Sequence, residues 1–269
     1  MKERSRKGVM QFSRILVIDP IALNAKMLAN LLKGLNPSCQ VYGAPTAPHG
    51  MALAREVSPD LIFVESVGPE LDGMQFARDL RRSVLPCREA AMIMVSQEAT
   101  AGLILGARDA GIHEFLRRPY TMGEVEKRID AVSGNPRDWI EAIQYIGPDR
   151  RRFNSADYSG PRKRRTDGSP RVQKINQALK IVQSAAGAVE SDPVQAARAL
   201  ATQCRVLIEV CSGAESLRKL CAVAMHLQTY LTSTPVRDHG LSKEQVETFA
   251  HNLVLVAPAE TRPKAAVAA

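Results

Sequence analysis

The sequence lacks long apolar segments. No uninterrupted apolar run reaches the roughly 18 residues that a membrane-spanning helix needs. The first residues, MKERSRKGVMQFSR, are charged and carry no apolar segment of the kind found in secretory signals. We therefore expect a soluble, cytoplasmic protein without a membrane span. Apolar residues still make up 45% of the 269 residues, which is enough to fill the cores of two domains.

Cysteine motifs are also missing. The chain has five cysteines, an odd number, and no two of them have Cys-x-x-Cys spacing. They lie mostly within apolar patterns, so the sequence predicts buried, reduced thiols. These cysteines are Cys39, Cys87, Cys204, Cys211 and Cys221.

Charge of one sign is concentrated in a single segment. The formal net charge is +8, and residues 145–171 hold eight basic residues against three acidic ones. Most of the imbalance therefore belongs to this short stretch.

The first half of the sequence alternates strand and helix patterns. Short branched runs such as RILVID are typical of parallel strands buried on both faces, and apolar residues at helical spacing follow each run. Thr121-Met-Gly-Glu124 has the form of a capping box before the last helix. The alternation predicts a five-stranded parallel, doubly wound α/β domain over residues 12–134. Its strands are predicted at residues 14–19, 39–44, 60–65, 90–96 and 113–119.

Four polar side chains fall at the ends of predicted strands. They are Asp19, Glu65, Ser96 and Arg118. The carboxyl ends of parallel strands meet at one edge of the sheet, where ligand sites collect. A carboxylate directly after the buried run at residues 61–64 is otherwise unexpected. The convergence makes these four residues a candidate site.

The same stretches carry a family resemblance. ILVID, DLIFVE, the Leu-Asp-Gly turn, MIMVS and RRP together resemble the receiver domain of two-component response regulators, a flavodoxin-like fold. In that family an aspartate accepts phosphate from a histidine kinase with a bound magnesium ion, and a serine or threonine and an aromatic residue reorient in response. By position, the resemblance places Glu65 at the acceptor, Asp19 at the first acidic position, Ser96 at the hydroxyl, Phe115 at the aromatic and Arg118 at the basic position.

Three positions depart from that family pattern. Pro20 occupies the second acidic position and offers no side-chain oxygen, so we expect weak Mg²⁺ binding, with Asp19 as a weak ligand candidate. Glu65 is one methylene longer than aspartate, and a misplacement of ~1 Å in attack geometry can cost on the order of 100-fold in rate. Arg118 replaces the usual lysine with a planar fork that suits carboxylates. We predict a Glu65–Arg118 ion pair.

The departures favour a pseudo-receiver without enzymatic activity or a cofactor, held in one signalling state and acting by protein–protein interaction. By analogy with the family, the surface formed by the fourth and fifth helices and the fifth strand is the first place to seek a partner. Two other interpretations remain open. The domain is then either a conventional phosphorelay receiver, or one in which Glu65 is a solvated polar residue without a role.

An arginine-rich segment follows at residues 135–170. YIGPDRR at residues 145–151 reappears as YSGPRKRR at residues 158–165, and its Pro and Gly prevent a continuous helix. Similar Tyr-x-Gly-Pro tails occur behind receiver-like domains in bacterial proteins. Closely spaced guanidinium groups suit phosphates, so a cyclic dinucleotide of the c-di-GMP type, a nucleic-acid backbone and an acidic protein surface are alternatives to a plain linker. The candidates are Tyr145, Arg150, Arg151, Arg152, Tyr158, Arg162, Arg164 and Arg165.

The sequence becomes helical again after the arginine-rich segment. Apolar stripes and N-cap patterns at Asp192-Pro193, Ser212-x-x-Glu215 and Ser242-x-x-Gln245 predict an all-α bundle of four helices over residues 171–258. Few basic or amide residues share a face on the last two helices, so we do not expect DNA binding. His226 lacks the sequence context of a phosphotransfer histidine. The bundle is predicted to dock a protein or form a homodimer, and residues 259–269 are predicted to be disordered.

Overall fold

A computed structural model describes residues 12–134, 137–150, 169–233 and 240–262. The described chain divides into two compact units. The first unit comprises residues 12–134, 137–140 and 145–150, and the second comprises residues 141–144, 169–233 and 240–262. None of the described helices is both long and apolar enough to cross a membrane.

The first unit is built on a parallel sheet with the strand order β2-β1-β3-β6-β7. The five-stranded parallel, doubly wound architecture is as predicted, with each crossover helix covering one face of the sheet. Its strands are β1 (Arg14–Ile18), β2 (Gln40–Ala44), β3 (Leu61–Glu65), the short β4 (Val67–Gly68) and β5 (Leu71–Asp72), β6 (Ala91–Ser96) and β7 (Glu114–Arg117). Its helices are α1 (Ala22–Leu35), α2 (Ala47–Val57), α3 (Gly73–Arg82), α4 (Ala101–Asp109) and α5 (Met122–Gly134).

Two core clusters lie on opposite faces of this sheet. Alternate residues of each strand belong to different clusters, as Ile62 and Val64 do against Leu61 and Phe63 in β3. All five residues of β3 are buried, which is why the strand reads as one continuous apolar run that ends in a carboxylate. Burying each large side chain contributes about 1.5–3 kcal/mol.

Two element boundaries differ from the sequence prediction. The strand predicted at residues 113–119 is β7. It ends at Arg117 rather than at residue 119, because Pro119 has no N–H for a sheet hydrogen bond. The sequence pattern predicts the third helix over residues 76–83, whereas α3 begins at Gly73, because the Asp72 side chain accepts the Gln75 N–H at 2.9 Å and caps the helix there. The predicted capping box is present, since Glu124 Oε2 accepts from Thr121 N and Oγ1.

Part of the predicted arginine-rich segment is regular structure. The strands β8 (Trp139–Glu141) and β9 (Ile146–Pro148) pair as a small two-stranded sheet. The sequence predicts a short piece at residues 139–143 that is either helical or extended, and Trp139–Glu141 is extended. Residues 151–168 lie outside the described residues.

The second unit contains the four predicted helices, α6 (Pro170–Gly187), α7 (Pro193–Cys211), α8 (Arg218–Ser233) and α9 (Lys243–Val256). Asp192 and Ser242 cap α7 and α9 as predicted. The capping box predicted at Ser212 is wrong. The Ser212 hydroxyl donates backwards to Ile208 O at 2.8 Å, so this residue closes α7 instead of opening α8.

The predicted disordered tail begins too early. Residues Ala259–Thr261 form a 3-10 turn, and Thr261 is buried. The Asn176 amide donates to the carbonyls of Thr261 at 3.2 Å and Arg262 at 3.1 Å. These bonds tie residues 259–262 to α6, while residues 263–269 lie outside the described residues.

All five cysteines are free, and four of them are buried as predicted. Cys221 is only partly buried. Burial raises the pKa of the Cys204 thiol to about 12, which keeps it protonated and unreactive at neutral pH.

Candidate functional site

The four predicted site residues do meet at the carboxyl edge of the sheet. Asp19 follows β1, Glu65 ends β3, Ser96 ends β6, and Arg118 follows β7. Asp19, Glu65 and Ser96 are buried, with exposures of 4%, 8% and 3%. Strand order places β1, β3, β6 and β7 side by side, so loops that are far apart in sequence deliver these groups to one pocket.

Arg118 is the centre of this pocket. Its Nη1 donates to Glu65 Oε2 and its Nη2 donates to Asp19 Oδ2, so one guanidinium bridges two carboxylates. The ion pair predicted between Glu65 and Arg118 is therefore present, and the second pair with Asp19 was not predicted. The bridge requires a planar guanidinium with two terminal nitrogens, because each nitrogen donates to a different carboxylate.

The second oxygen of Glu65 is also occupied. Oε1 accepts from Ser66 N at 2.9 Å and from Ser66 Oγ at 3.0 Å. The Ser66 and Ser96 hydroxyls are hydrogen-bonded at 2.9 Å, and Ser96 Oγ accepts from Glu98 N at 3.2 Å. Sequence reasoning missed Ser66, although its position directly after the strand-ending Glu65 pointed to the same edge. Glu65 is thus held at both oxygens and is not an idle surface group.

The pKa values of both Asp19 and Arg118 are shifted upwards in the pocket. Burial raises the pKa of Asp19, and the nearby Glu65 charge adds to the rise, while the Ile21 N–H and Arg118 oppose it. Burial alone would lower the pKa of Arg118, but the hydrogen bond and charge of Glu65 and the charge of Asp19 outweigh burial and raise it. Arg118 therefore stays charged, and the pocket is most stable with at least one ionised carboxylate beside it.

The pocket does not fit a magnesium ion. The ring of Pro20 packs against Gly68, where an added Cβ would lie 2.4 Å from Pro20 Cγ, so an apolar contact fills the second acidic position. The carboxylates of Asp19 and Glu65 face a guanidinium, which supplies the positive charge that a metal would bring. Among the described residues, no group of three or more His, Cys, Asp or Glu side chains could hold a metal ion.

The aromatic residues near the pocket are Phe115 and Tyr120. Phe115 is 3% exposed and belongs to the core cluster between the sheet and its helices. Tyr120, which sequence reasoning missed, lies with its ring centroid 5.9 Å from Arg118 Cζ. Burial raises the pKa of its phenol. Phe115 is thus packed inward, and Tyr120 covers the guanidinium.

The first Tyr-x-Gly-Pro stretch makes packing contacts within the first unit. Tyr145 is 8% exposed and its hydroxyl donates to Pro148 O. Arg150 Cζ lies 4.5 Å from the Tyr145 ring centroid, and Nη1 pairs with Asp109 Oδ1 at 3.0 Å. Arg150 therefore already has a partner at the end of α4, and Tyr145 is held by Pro148 and Arg150. The other candidates, Arg151, Arg152, Tyr158, Arg162, Arg164 and Arg165, lie outside the described residues.

A family profile described as the response regulator receiver domain matches residues 15–130. Residues 15–130 form a response regulator receiver domain. The match ends within α5 and covers the sheet and the pocket. The receiver is the signalling domain of two-component systems, as the sequence resemblance implied.

Several curated proteins are similar over the receiver. The KDP operon transcriptional regulatory protein KdpE of Escherichia coli (strain K12) is 29% identical over 118 residues, covering 44% of this chain and 49% of KdpE. Protein PilH of Pseudomonas aeruginosa is 28% identical over 120 residues, covering 45% of this chain and 97% of PilH. A protein-glutamate methylesterase/protein-glutamine glutaminase of Trichodesmium erythraeum is 28% identical over 121 residues, covering 44% of this chain and 34% of the enzyme.

The chain thus spans about a third to a half of the length of two of these relatives. Their names include a transcriptional regulator and an enzyme, so a receiver alone implies neither output. Among solved structures, the signal receiver domain of a DNA binding response regulator from Colwellia psychrerythraea 34H is 19% identical with a TM-score of 0.43, covering 46% of this chain and 99% of that domain.

Proposed function

We propose that this chain is an atypical response regulator whose receiver does not accept phosphate and acts by binding a protein partner. The observation that carries the proposal is the Arg118 bridge between Asp19 and Glu65. Glu65 stands in the acceptor position, and its carboxylate is a fixed anion where an active receiver would carry a reversible one. The domain is accordingly held in one signalling state.

Three features support loss of phosphate acceptance. Both oxygens of Glu65 are hydrogen-bonded, which lowers their availability as nucleophiles. The guanidinium that would meet an incoming phosphoryl group is already neutralised by two carboxylates. Pro20 removes a carboxylate that a metal-dependent transfer needs. Each feature acts on a different requirement of the reaction, so restoring one alone should not restore transfer.

The test is phosphorylation with acetyl phosphate and Mg²⁺, followed by intact mass measurement. The wild type should gain no phosphoryl mass. The matched variant Pro20→Asp/Glu65→Asp/Arg118→Lys restores all three family positions and serves as the positive control, and it should be labelled. Robust labelling of the wild type at Glu65 would instead identify a conventional phosphorelay receiver.

A partner is expected on the surface formed by α4, β7 and α5. Leu105 on α4 and Met122 at the start of α5 are large apolar residues with exposures of 48% and 42%, so they are the side chains with which to test this surface. Co-purification from the native cell should identify the partner. Binding should be lost in Leu105→Glu/Met122→Glu and kept in Val84→Glu, which changes an exposed apolar residue elsewhere.

Calorimetry separates the cyclic-dinucleotide alternative from the protein-docking one. Heat of binding in the wild type that disappears in Arg150→Ala/Arg151→Ala would favour a ligand sensor. No heat in either protein is the result expected from the proposed function. The packing of Arg150 on Tyr145 and Asp109 supports the latter, since a nucleotide would have to displace both contacts.

A further inference from the structure

A cavity of about 640 Å³ opens at the edge of the sheet opposite the Arg118 pocket. It is lined by residues at the amino ends of β1, β3, β6 and β7, by the turn at residues 86–89, by the last turn of α5, and by Arg137 and Trp139 at the start of β8. β3 separates the two sites, since Asp60 lines the cavity and Glu65 lies in the pocket, roughly 16 Å apart along the strand. The volume lies within the range of small-molecule sites.

The walls of this cavity carry aromatic and cationic side chains together with two carboxylates, Asp60 and Glu89, and Glu89 is paired with Arg88 at 3.5 Å. Phe12 and Trp139 supply rings, and Arg14 and Arg137 supply guanidinium groups. Arg137 is anchored, since its Nη2 donates to His113 O. Arg14 is exposed, and its side chain has no hydrogen bond or ion pair with any described residue. The nearby Asp60 is already used, because its carboxylate accepts from Ser13 N and Oγ at 2.9 Å each and from Arg14 N at 3.1 Å.

A buried positive charge lies directly behind the Trp139 wall. Arg81 is 1% exposed, and its Cζ lies 5.2 Å from the Trp139 ring centroid. Its nitrogens donate to the carbonyls of Gly111, Arg88 and Ala90, and within the described chain no carboxylate hydrogen-bonds to it. Burial lowers the pKa of Arg81 to about 10, so the group is still charged at neutral pH. Its hydrogen bonds are made to neutral acceptors, and the charge of Glu89, which also lines the cavity, acts on it electrostatically.

His113 links this charge to the cavity. Its Nδ1 accepts from Met92 N at 3.1 Å and lies 3.4 Å from Arg81 Nη2. Burial, with the charges of Arg81 and Arg137, lowers the pKa of His113 well below its ordinary value, so the ring is neutral. With Nδ1 as acceptor, the proton is on Nε2, and this donor has no partner among the described residues. His113 lines the cavity and can donate into it.

We propose that the cavity binds a small aromatic anion, whose acidic group meets Arg14 and Arg137 and whose ring lies against Trp139. The rings select a flat apolar body, and the guanidinium groups and the His113 N–H select an acidic oxygen. The site does not depend on the proposed function of the receiver pocket.

The experiment compares 2-naphthoate with 2-naphthamide, which differ in charge but hardly in shape, on the full chain. Affinity is measured by calorimetry, and location by fluorescence, because Trp139 is the single tryptophan in the sequence. We expect 2-naphthoate to bind and change the Trp139 emission, and 2-naphthamide to bind roughly ten- to a hundred-fold more weakly.

Arg14→Gln should weaken the binding of 2-naphthoate by a similar factor. Because Arg14 is exposed, the variant should fold like the wild type. Arg137→Gln should act in the same direction. Arg78→Gln, an exposed arginine on α3 away from the cavity, is the matched control and should bind like the wild type. The proposal is overturned by absence of 2-naphthoate binding, by equal affinity for the two probes, or by equal effects of Arg14→Gln and Arg78→Gln.

Discussion

Arg118 and Glu65 form an ion pair that is largely buried, because their side chains alone, without the backbone, are 13% and 10% exposed. Asp19 shares the same guanidinium from the other side. A buried ion pair adds little stability relative to an apolar core, but loss of one partner leaves an uncompensated buried charge. The arrangement is therefore sensitive to removal of the cation.

Arg118→Ala should lower the free energy of unfolding by about 3–5 kcal/mol, because it leaves two neighbouring carboxylates buried without a counter-charge. Urea denaturation at neutral pH measures the change. Arg117→Ala is the matched control, since Arg117 is an exposed arginine next in the chain, and it should change stability by less than about 0.5 kcal/mol. Equal effects of the two variants would show that the bridge does not contribute.

Asp19→Asn should make stability less dependent on pH. The pKa of Asp19 is raised in the folded state above its ordinary 3.8, so folding is favoured with the proton bound, and stability is lost as pH rises from about 4 through the folded pKa. Asparagine never ionises and avoids this loss. Denaturation of both proteins from about pH 4 to pH 7 should show that the free energy of unfolding of the wild type falls relative to that of Asp19→Asn as the pH rises. A difference between them that stays constant with pH would contradict the assignment.

Ser66→Ala should cost about 1–2 kcal/mol, because Glu65 Oε1 loses its hydroxyl donor in a buried site. Ser96→Ala removes the next hydroxyl in the same chain of hydrogen bonds. The double variant should cost less than the sum of the two single variants, with a coupling of roughly 0.5 kcal/mol or more. A double-mutant cycle by urea denaturation provides the measurement, and strict additivity would argue against the linked hydroxyls.

Gly147→Ala should destabilise the first unit by about 1–3 kcal/mol. An added Cβ would lie 2.7 Å from the Gly111 Cα and 2.9 Å from the Tyr145 hydroxyl, and backbone cannot move aside cheaply. Gly123→Ala in α5 is the control, because its Cβ would meet nothing within 4 Å and alanine favours the helix. Thermal unfolding of both should show a lower Tm only for Gly147→Ala. No loss there would mean that the Tyr-x-Gly-Pro stretch is not closely packed.

The receiver fold and the edge of its site could be predicted because both depend on local signals. Apolar runs of fixed length and the residue after each run place Asp19, Glu65 and Arg118 without any knowledge of packing. Ser66 was not predicted, because a serine after a strand is common. Its role depends on the hydrogen bonds that it donates to Glu65 Oε1. Such hydrogen-bond chains become visible only when side-chain directions are known.

Arg81 shows a second limit of sequence reasoning. It lies one turn after Ala77 on the buried face of α3, yet an arginine in a helix is usually interpreted as exposed. Its acceptors are carbonyls of Gly111, Arg88 and Ala90, which carry no sequence signal. The contact between Arg81 and the Trp139 ring, which lies beside the cavity, could not be inferred from composition either.

The Arg118 bridge also restricts how the receiver fluctuates. The Arg118 side chain binds Glu65, which lies 53 positions earlier in the sequence, and Asp19, which lies 99 positions earlier. The three residues lie at the ends of three different strands. Release of either carboxylate alone leaves a desolvated charge behind, so the intermediate with one broken contact is poorly populated. The loops after β1, β3 and β7 should then open together or not at all, and amide hydrogen exchange in the three loops should proceed with a common opening free energy.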